Sequence, residues 1–218
     1  MNGFDIDSVV RILRQEVRRW QSPAVTIVSQ REGDPFKVLI SCILSLRTQD
    51  TTTGPASERL FALASTAGEM MRLTREDVER AIYPVGFYRN KAVQILAICR
   101  ELSDRFDGMV PDEIDQLLQF KGVGRKTANL VVTLGYGKPG ICVDTHVHRI
   151  CNRWGYISTQ TPDQTEMVLR KLLPSEYWLE INDLLVTYGQ NLCRPLSPHC
   201  SKCRVSEYCK RCGVATFR

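Results

Sequence analysis

Four cysteines near the end of the chain have the spacing of a metal site. Cys193, Cys200, Cys203 and Cys209 fall in the register C-x6-C-x2-C-x5-C. Four sulfurs from one short loop can surround a metal centre without help from a distant part of the fold. The spacing therefore predicts a tetrathiolate site and by itself leaves zinc open as the metal. A ninth cysteine, Cys212, falls outside this register, and we expect it to be unliganded.

A second group of residues could bind a phosphate. Gly122 and Gly124 flank one small apolar residue, Val123, so the backbone can turn tightly there. A helical pattern follows, and the first N–H groups of a helix attract an anion. A plain turn between two helices would explain the glycines equally well. Three cations around the turn favour the phosphate site: Lys121, Arg125 and Lys126.

The elements that must position these residues are helical. Apolar residues recur with helical periodicity along nearly the whole chain, and no stretch predicts a sheet. Residues 34–45 predict a buried helix that begins after Asp34, with Pro35 in its first position. Thr74 and Thr161 have the spacing of capping boxes that begin further helices. Residues 111–118 and 128–135 predict the two helices on either side of the glycine turn, so the fold class is all-α.

Composition sets limits on the kind of protein. The chain is 43% hydrophobic and 24% charged, as in an ordinary globular protein, and its net charge of +5 weakly favours a polyanionic partner. The N-terminus has no targeting signal and no apolar run reaches membrane-spanning length, so we expect a cytoplasmic, nucleoid-associated protein without a membrane partner. Cysteines in a reducing compartment act as ligands rather than disulfides.

Three motifs together resemble a known family. Residues 122–129 read Gly-Val-Gly-Arg-Lys-Thr-Ala-Asn, residues 143–149 read Val-Asp-Thr-His-Val-His-Arg, and the four-cysteine loop follows. In order and spacing the chain resembles the endonuclease III family of the helix-hairpin-helix DNA glycosylase superfamily, from about residue 34 to residue 209. The resemblance implies a two-lobed all-α fold, with a six-helix lobe at 28–139 and a cluster lobe at 1–27 and 140–218. It also implies a [4Fe–4S] cluster on the four cysteines.

The resemblance implies a chemical pair. Lys126 occupies the position of the lysine whose neutral amine attacks C1′ of the sugar, forms a Schiff base and cuts the strand by β-elimination. Asp144 matches the aspartate that stabilises the cationic sugar and helps to deprotonate the lysine. On local grounds Asp144 is equally well a helix N-cap, and both roles can hold.

The resemblance also implies DNA contacts in two further loops. Phe87 stands where relatives often carry a leucine wedge that fills the gap left by an extruded nucleotide, although a core phenylalanine would fit the pattern too. Arg47 stands where relatives often have a gap-filling glutamine, and arginine prefers guanine or phosphate. Lys91, in the same motif as Phe87, is expected to bind DNA. Lys121 replaces the usual proline of the hairpin.

We therefore expect a monomeric enzyme that acts on double-stranded DNA containing damaged bases or abasic sites. Its expected activity is removal of oxidised or ring-saturated pyrimidines followed by strand nicking. Two alternatives stay open: a monofunctional mismatch glycosylase, in which the lysine is typically replaced, and a non-enzymatic helix-hairpin-helix module that binds DNA.

Overall fold

The structure is a computed structural model that describes residues 3–20 and 33–218. Within these ranges the regular structure is helical and contains no β-strand, so the predicted all-α class is confirmed. The helices are α1 (Ile6–Val17), α2 (Pro35–Ser45), α3 (Asp50–Leu63), α4 (Ala67–Met70), α5 (Arg75–Ile82), α6 (Tyr88–Phe106), α7 (Ile114–Leu117), α8 (Arg125–Leu130), α9 (Thr145–Trp154), α10 (Pro162–Leu172) and α11 (Ile181–Asn191).

The chain divides into two compact units. One comprises residues 24–140 and the other comprises residues 1–23 with 141–218. The lobe bounds expected from the resemblance, 28–139 and 1–27 with 140–218, stay a prediction, because the first boundary lies outside the described residues.

In the unit of residues 24–140, α2 is the central element. Asp34 caps it by accepting a hydrogen bond from the Phe36 N–H at 2.8 Å, and Pro35 occupies its first turn, as predicted. Most of its side chains are fully buried, and the helix contacts α3, α6, α8 and a π-helical turn, Val131–Gly135, that extends α8. The buried α2 therefore supports α8, the helix that follows the glycine turn.

The helix before the glycine turn is shorter than predicted. The structure has α7 over Ile114–Leu117, whereas the apolar spacing predicted a helix over 111–118. Pro111 is irregular and Asp112 lies in a bend rather than a helix, and Lys138 forms an ion pair with Asp112 at 2.8 Å. This surface ion pair contributes to holding residues 111–113 in a non-helical approach to α7.

In the unit of residues 1–23 and 141–218, α1 and α9 pack against α11. The apolar face of α1 is buried, including Val9 and Leu13, while its arginines remain at the surface. Trp154 of α9 and Tyr188 of α11 are among the largest buried side chains of this core. No helix within residues 3–20 or 33–218 is long and apolar enough to cross a membrane.

Candidate active site and nucleic-acid interface

The turn between α7 and α8 has the conformation that its glycines allow. Gly122 has a φ of +80°, in the left-handed region that side-chain-bearing residues rarely adopt. A Cβ at this position would lie 2.4 Å from Nε2 of Gln94, whose amide donates a hydrogen bond to the Lys121 carbonyl at 3.0 Å. The positive φ favours glycine at position 122, whereas the Gln94 contact involves the end of a flexible side chain.

The N-terminus of α8 is open toward solvent. Gly124 is its N-cap and offers no side-chain acceptor, and an added Cβ there would meet no atom within 4 Å. Lys121 is exposed, and Arg125 and Lys126 are partly buried in the first helical turn. The positive end of a helix, open space and nearby cations together suit a phosphate group.

Val123, which the sequence predicted to contact DNA, lies in the interior of the protein. Its side chain is buried in the core, with 5% exposed, and its N–H donates to the Phe120 carbonyl at 3.0 Å. The side chain therefore packs under the turn, and both it and the N–H make contacts within the protein.

Lys126 lies close to the buried helix α2. Burial raises the pKa of the Cys42 thiol to about 12, and the nearby charge of Lys126 opposes that shift. The lysine therefore leaves α8 beside an apolar helix, with its side chain only partly in solvent.

Asp144 belongs to the other unit, where it begins α9. Its Oδ1 accepts hydrogen bonds from the N–H groups of His146 at 2.8 Å and Val147 at 2.9 Å, and the residue is 8% exposed. The expected N-cap is thus observed. Because one oxygen makes both bonds, the cap fixes the orientation of the whole carboxylate.

Arg47 and Phe87 come together at one tip of the unit of residues 24–140. Both have positive φ angles, 53° and 56°, and the Arg47 guanidinium carbon lies 5.8 Å from the centre of the Phe87 ring. The Phe87 side chain is not in the core, since 60% of it is exposed. An exposed aromatic ring beside a cation suits contact with stacked bases.

Lys91 does not lie where a DNA contact was predicted. The side chain is buried, with 5% exposed. Its amine donates hydrogen bonds to the carbonyls of Leu44 at 2.8 Å and Leu46 at 2.6 Å, and to Thr48 Oγ1 at 3.1 Å. In this conformation the three N–H groups are committed to the protein and not to DNA.

The four-cysteine loop is folded against α9 and α11. Arg153, itself 8% exposed, donates to the carbonyls of Arg194 and Pro195, each at 2.7 Å, and lies 3.5 Å from the Cys193 sulfur. The Tyr188 hydroxyl lies 3.1 Å from the Cys203 sulfur. Side chains of the folded core therefore fix where two of the sulfurs stand.

The thiols of the loop lie near one another. Burial raises the pKa of Cys200 and of Cys203, and it raises the pKa of Cys209 to about 11. Neighbouring thiols of the same set add to each shift. Burial and mutual proximity both disfavour the charged form, so ionisation of the set to thiolates requires a compensating cation.

The chemistry of the donor set bears on the kind of metal group. Four cysteine thiolates are ligands both for a zinc ion and for an iron–sulfur cluster. Within the described residues, no three cysteine, histidine or acidic side chains are grouped as the ligands of a single ion. The donor set by itself therefore fits either group.

The rim of the loop is positively charged. Arg194 and Lys202 are exposed. The pKa of His199 is lowered first by burial and then by the positive charges of Arg194, Arg218 and Lys202. A concentration of cations on one rim is suited to a phosphate backbone.

Three structural residues were missed from the sequence. Gln94 supports the glycine turn from 27 positions away, and Arg153 reaches residues 40 or more positions along the chain. Tyr188 lies in a helix that no motif marks. Local periodicity carries no signal for such distant contacts, so sequence patterns could not have identified these residues.

Comparison with known proteins bears on the family. The family model described as "HhH-GPD superfamily base excision DNA repair protein" matches residues 40–175. Endonuclease III of Thermotoga maritima is 45% identical over 182 residues, which cover 84% of this chain and 85% of that protein. The chain belongs to the HhH-GPD superfamily. Endonuclease III of Escherichia coli strain K12, a further relative, is 35% identical over 82% of this chain and 84% of its own length.

A solved structure agrees with this HhH-GPD membership. A trapped endonuclease III–DNA covalent intermediate superimposes with a TM-score of 0.77 at 35% identity, covering 82% of this chain and 84% of that one. The expected family resemblance is therefore confirmed by fold as well as by sequence.

Proposed function

We propose that this protein is a bifunctional DNA glycosylase and abasic-site lyase that removes oxidised or ring-saturated pyrimidines from duplex DNA. The observation that carries the proposal is Lys126, partly buried in the first turn of α8 directly after the Gly-Val-Gly turn, in a chain of a base excision repair family. A primary amine at a phosphate-binding turn can reach the sugar of a nucleotide whose backbone is held by that turn.

The chemistry needs Lys126 as a nucleophile. Its neutral amine attacks C1′ of the damaged nucleotide, the bond from C1′ to the base breaks, and the base leaves with the bonding electrons. The sugar ring then opens to a Schiff base on the lysine, which acidifies the C2′ hydrogen. Loss of that proton expels the 3′ phosphate and breaks the strand.

Asp144 is proposed to be the catalytic carboxylate, as the family resemblance implies. A carboxylate beside C1′ stabilises the positive charge that develops as the base departs, and it can accept a proton from the lysine. Its cap bonds to His146 and Val147 hold the carboxylate in one orientation before DNA arrives.

The damaged base must leave the duplex before the lysine can reach C1′. Extrusion costs a few kcal/mol, and an inserted side chain offsets part of that cost by filling the gap. Phe87 and Arg47 are proposed for this role, since both are exposed and lie side by side. Lys121, Arg125 and the backbone around Gly124 are proposed to hold the phosphates.

The cysteine loop is proposed to carry a [4Fe–4S] cluster on Cys193, Cys200, Cys203 and Cys209. When bound, the cluster ties the loop into one shape and takes no part in the bond-breaking steps. The basic rim, Arg194 and Lys202, then presents a preformed surface to the DNA backbone.

A strand-nicking assay tests the proposed function. Duplex DNA with one thymine glycol should be cut at the lesion by the natural protein, and Lys126→Gln should abolish the cut. Lys121→Gln is the matched control, because it removes a cation from the same turn without removing the nucleophile. We expect that control to weaken binding and to retain nicking. Natural protein that binds the duplex but cuts nothing would leave only a DNA-binding module.

A further inference from the structure

The two loops that carry Arg47 and Phe87 share an unusual backbone. Each residue adopts the left-handed conformation, with φ angles of 53° and 56°, although neither is a glycine. This conformation costs free energy for any residue with a Cβ, so surrounding contacts must enforce it. Residues held in this way cluster at functional sites, and here both belong to the proposed gap-filling pair.

Lys91 supplies contacts that can enforce it. From inside the unit its amine reaches the Leu44 and Leu46 carbonyls at the C-terminal end of α2 and the hydroxyl of Thr48. Carbonyls at the end of a helix have no partner within that helix, so these bonds provide one, and the Leu46 carbonyl also accepts a hydrogen bond from the Thr48 hydroxyl at 3.3 Å. The chain leaving α2 is thereby fixed on both sides of Arg47.

Thr48 connects this network to the Phe87 loop. Its hydroxyl oxygen, besides contacting Lys91, accepts a hydrogen bond from the N–H of Gly86 at 3.2 Å. A Cβ on Gly86 would lie only 2.7 Å from the Arg47 carbonyl, so the two loops approach as closely as backbones can. One buried amine therefore touches the loop of Arg47 directly and the loop of Phe87 through one hydroxyl.

We propose that Lys91 is a positioning residue that fixes the Arg47 and Phe87 loops as one rigid unit, so that the guanidinium and the ring enter the duplex gap together. The inference rests on the proposed function, in which these two side chains fill the gap. It places Lys91 beneath the Arg47 and Phe87 loops rather than on the surface that contacts DNA.

A lysine suits this position because its ammonium group carries three N–H donors and the site holds three oxygens. Burial lowers the pKa of Lys91 to about 8, so at neutral pH the amine still holds its third proton in most molecules. A side chain of similar length without hydrogen-bond donors would fill the same space but make no hydrogen bonds to the two loops.

Lys91→Met and Thr48→Val test the inference on the full-length protein. Methionine keeps the length of the side chain and removes all three donors, while valine keeps the shape of threonine and removes the shared hydroxyl. Arg100→Met is the matched control, because it removes an exposed cation from the same helix, α6. Each variant is assayed on duplex DNA with thymine glycol and on single-stranded DNA with an abasic site, where no gap must be filled.

We expect both loop variants to process the duplex about tenfold more slowly, because small displacements of positioning groups cost at least that much. Their cleavage of the single-stranded abasic site should stay within about twofold of the natural protein, as should both activities of Arg100→Met. The double variant should be no slower on the duplex than the slower single variant, since both changes break one network. Equal losses on both substrates, or additive losses in the double variant, would refute the positioning role.

A second measurement separates this inference from the enzymatic proposal. Duplex DNA containing an uncleavable abasic analogue is given 2-aminopurine as the opposite base, whose fluorescence rises when it loses its stacked neighbours. Binding of the natural protein should raise the signal at saturation, and saturating Lys91→Met should raise it far less. This readout needs no bond cleavage, so it holds even if the natural protein proves inactive. Equal signals from the natural protein and Lys91→Met would overturn the inference.

Discussion

At the scale of single residues, the two members of the proposed chemical pair differ in burial. Asp144 is buried and accepts two hydrogen bonds from backbone N–H groups of α9. Lys126 is partly buried and extends from the first turn of α8 beside buried Cys42. A carboxylate held in one orientation suits the stabilisation of a developing positive charge.

The two roles of Asp144 can be separated by substitution. Asparagine caps helices about as well as aspartate, so Asp144→Asn should change the free energy of unfolding by less than about 0.5 kcal/mol. Without the negative charge, base release should fall by about 10²–10³-fold, the usual effect of losing one electrostatic stabiliser. Asp144→Ala should lose the cap as well and cost about 1 kcal/mol. Single-turnover kinetics and thermal melts measure the two effects, and an active Asp144→Asn protein would restrict Asp144 to the cap.

At the scale of elements, the two glycines of the hairpin turn have different roles. Gly122 is favoured by the fold, since its φ is positive and lies in the left-handed region. Gly124 has an extended backbone with a φ of −98° and open space around it, so the folded protein does not require glycine there. The open space is where a phosphate is proposed to lie.

Alanine at the two glycines should therefore have different effects. Gly122→Ala should lower the free energy of unfolding by about 1–2 kcal/mol, because alanine is strained in the left-handed region. Gly124→Ala should leave stability within about 0.5 kcal/mol and weaken DNA binding, because its methyl group occupies the proposed phosphate site. Melting curves and fluorescence anisotropy with duplex DNA compare them. Unchanged DNA affinity in Gly124→Ala would place the phosphate elsewhere.

The cysteine loop is a second element whose content can be measured. Purified protein should be brown with broad visible absorption and should contain iron and inorganic sulfide. Cys203→Ser should lose both the colour and the iron, because one of four ligands is gone. Cys212→Ser is the control, since this exposed thiol lies outside the register and the colour should persist. A colourless, zinc-loaded and active natural protein would overturn the iron assignment.

At the scale of the whole molecule, the sequence predicted what local rules determine. The buried helix α2, its Asp34 cap and the capping box at Thr74 all formed as predicted, because each depends on residues within one turn. The sequence did not predict that Val123 and Lys91 are buried. Both lie in motifs whose neighbouring residues are predicted to bind DNA, and helical or turn spacing alone does not show that their side chains face inward.

The family was recognised from the order of three motifs. Local rules of helix and turn formation do not predict that order. The contact between Arg47 and Phe87 is a second feature that local sequence patterns do not predict. They lie 40 positions apart in sequence, and hydrogen bonds around Lys91 and Thr48 link their loops in the structure.

The most direct test of the account is to locate the covalent bond between the protein and DNA. Natural protein is incubated with duplex DNA containing thymine glycol in the presence of borohydride, which reduces the Schiff base to a stable link. The adduct is digested and mapped by mass spectrometry. We predict that the modified peptide carries the sugar remnant on Lys126, and that Lys126→Gln yields no adduct. An adduct on another residue, or one formed equally well by Lys126→Gln, would contradict the central claim.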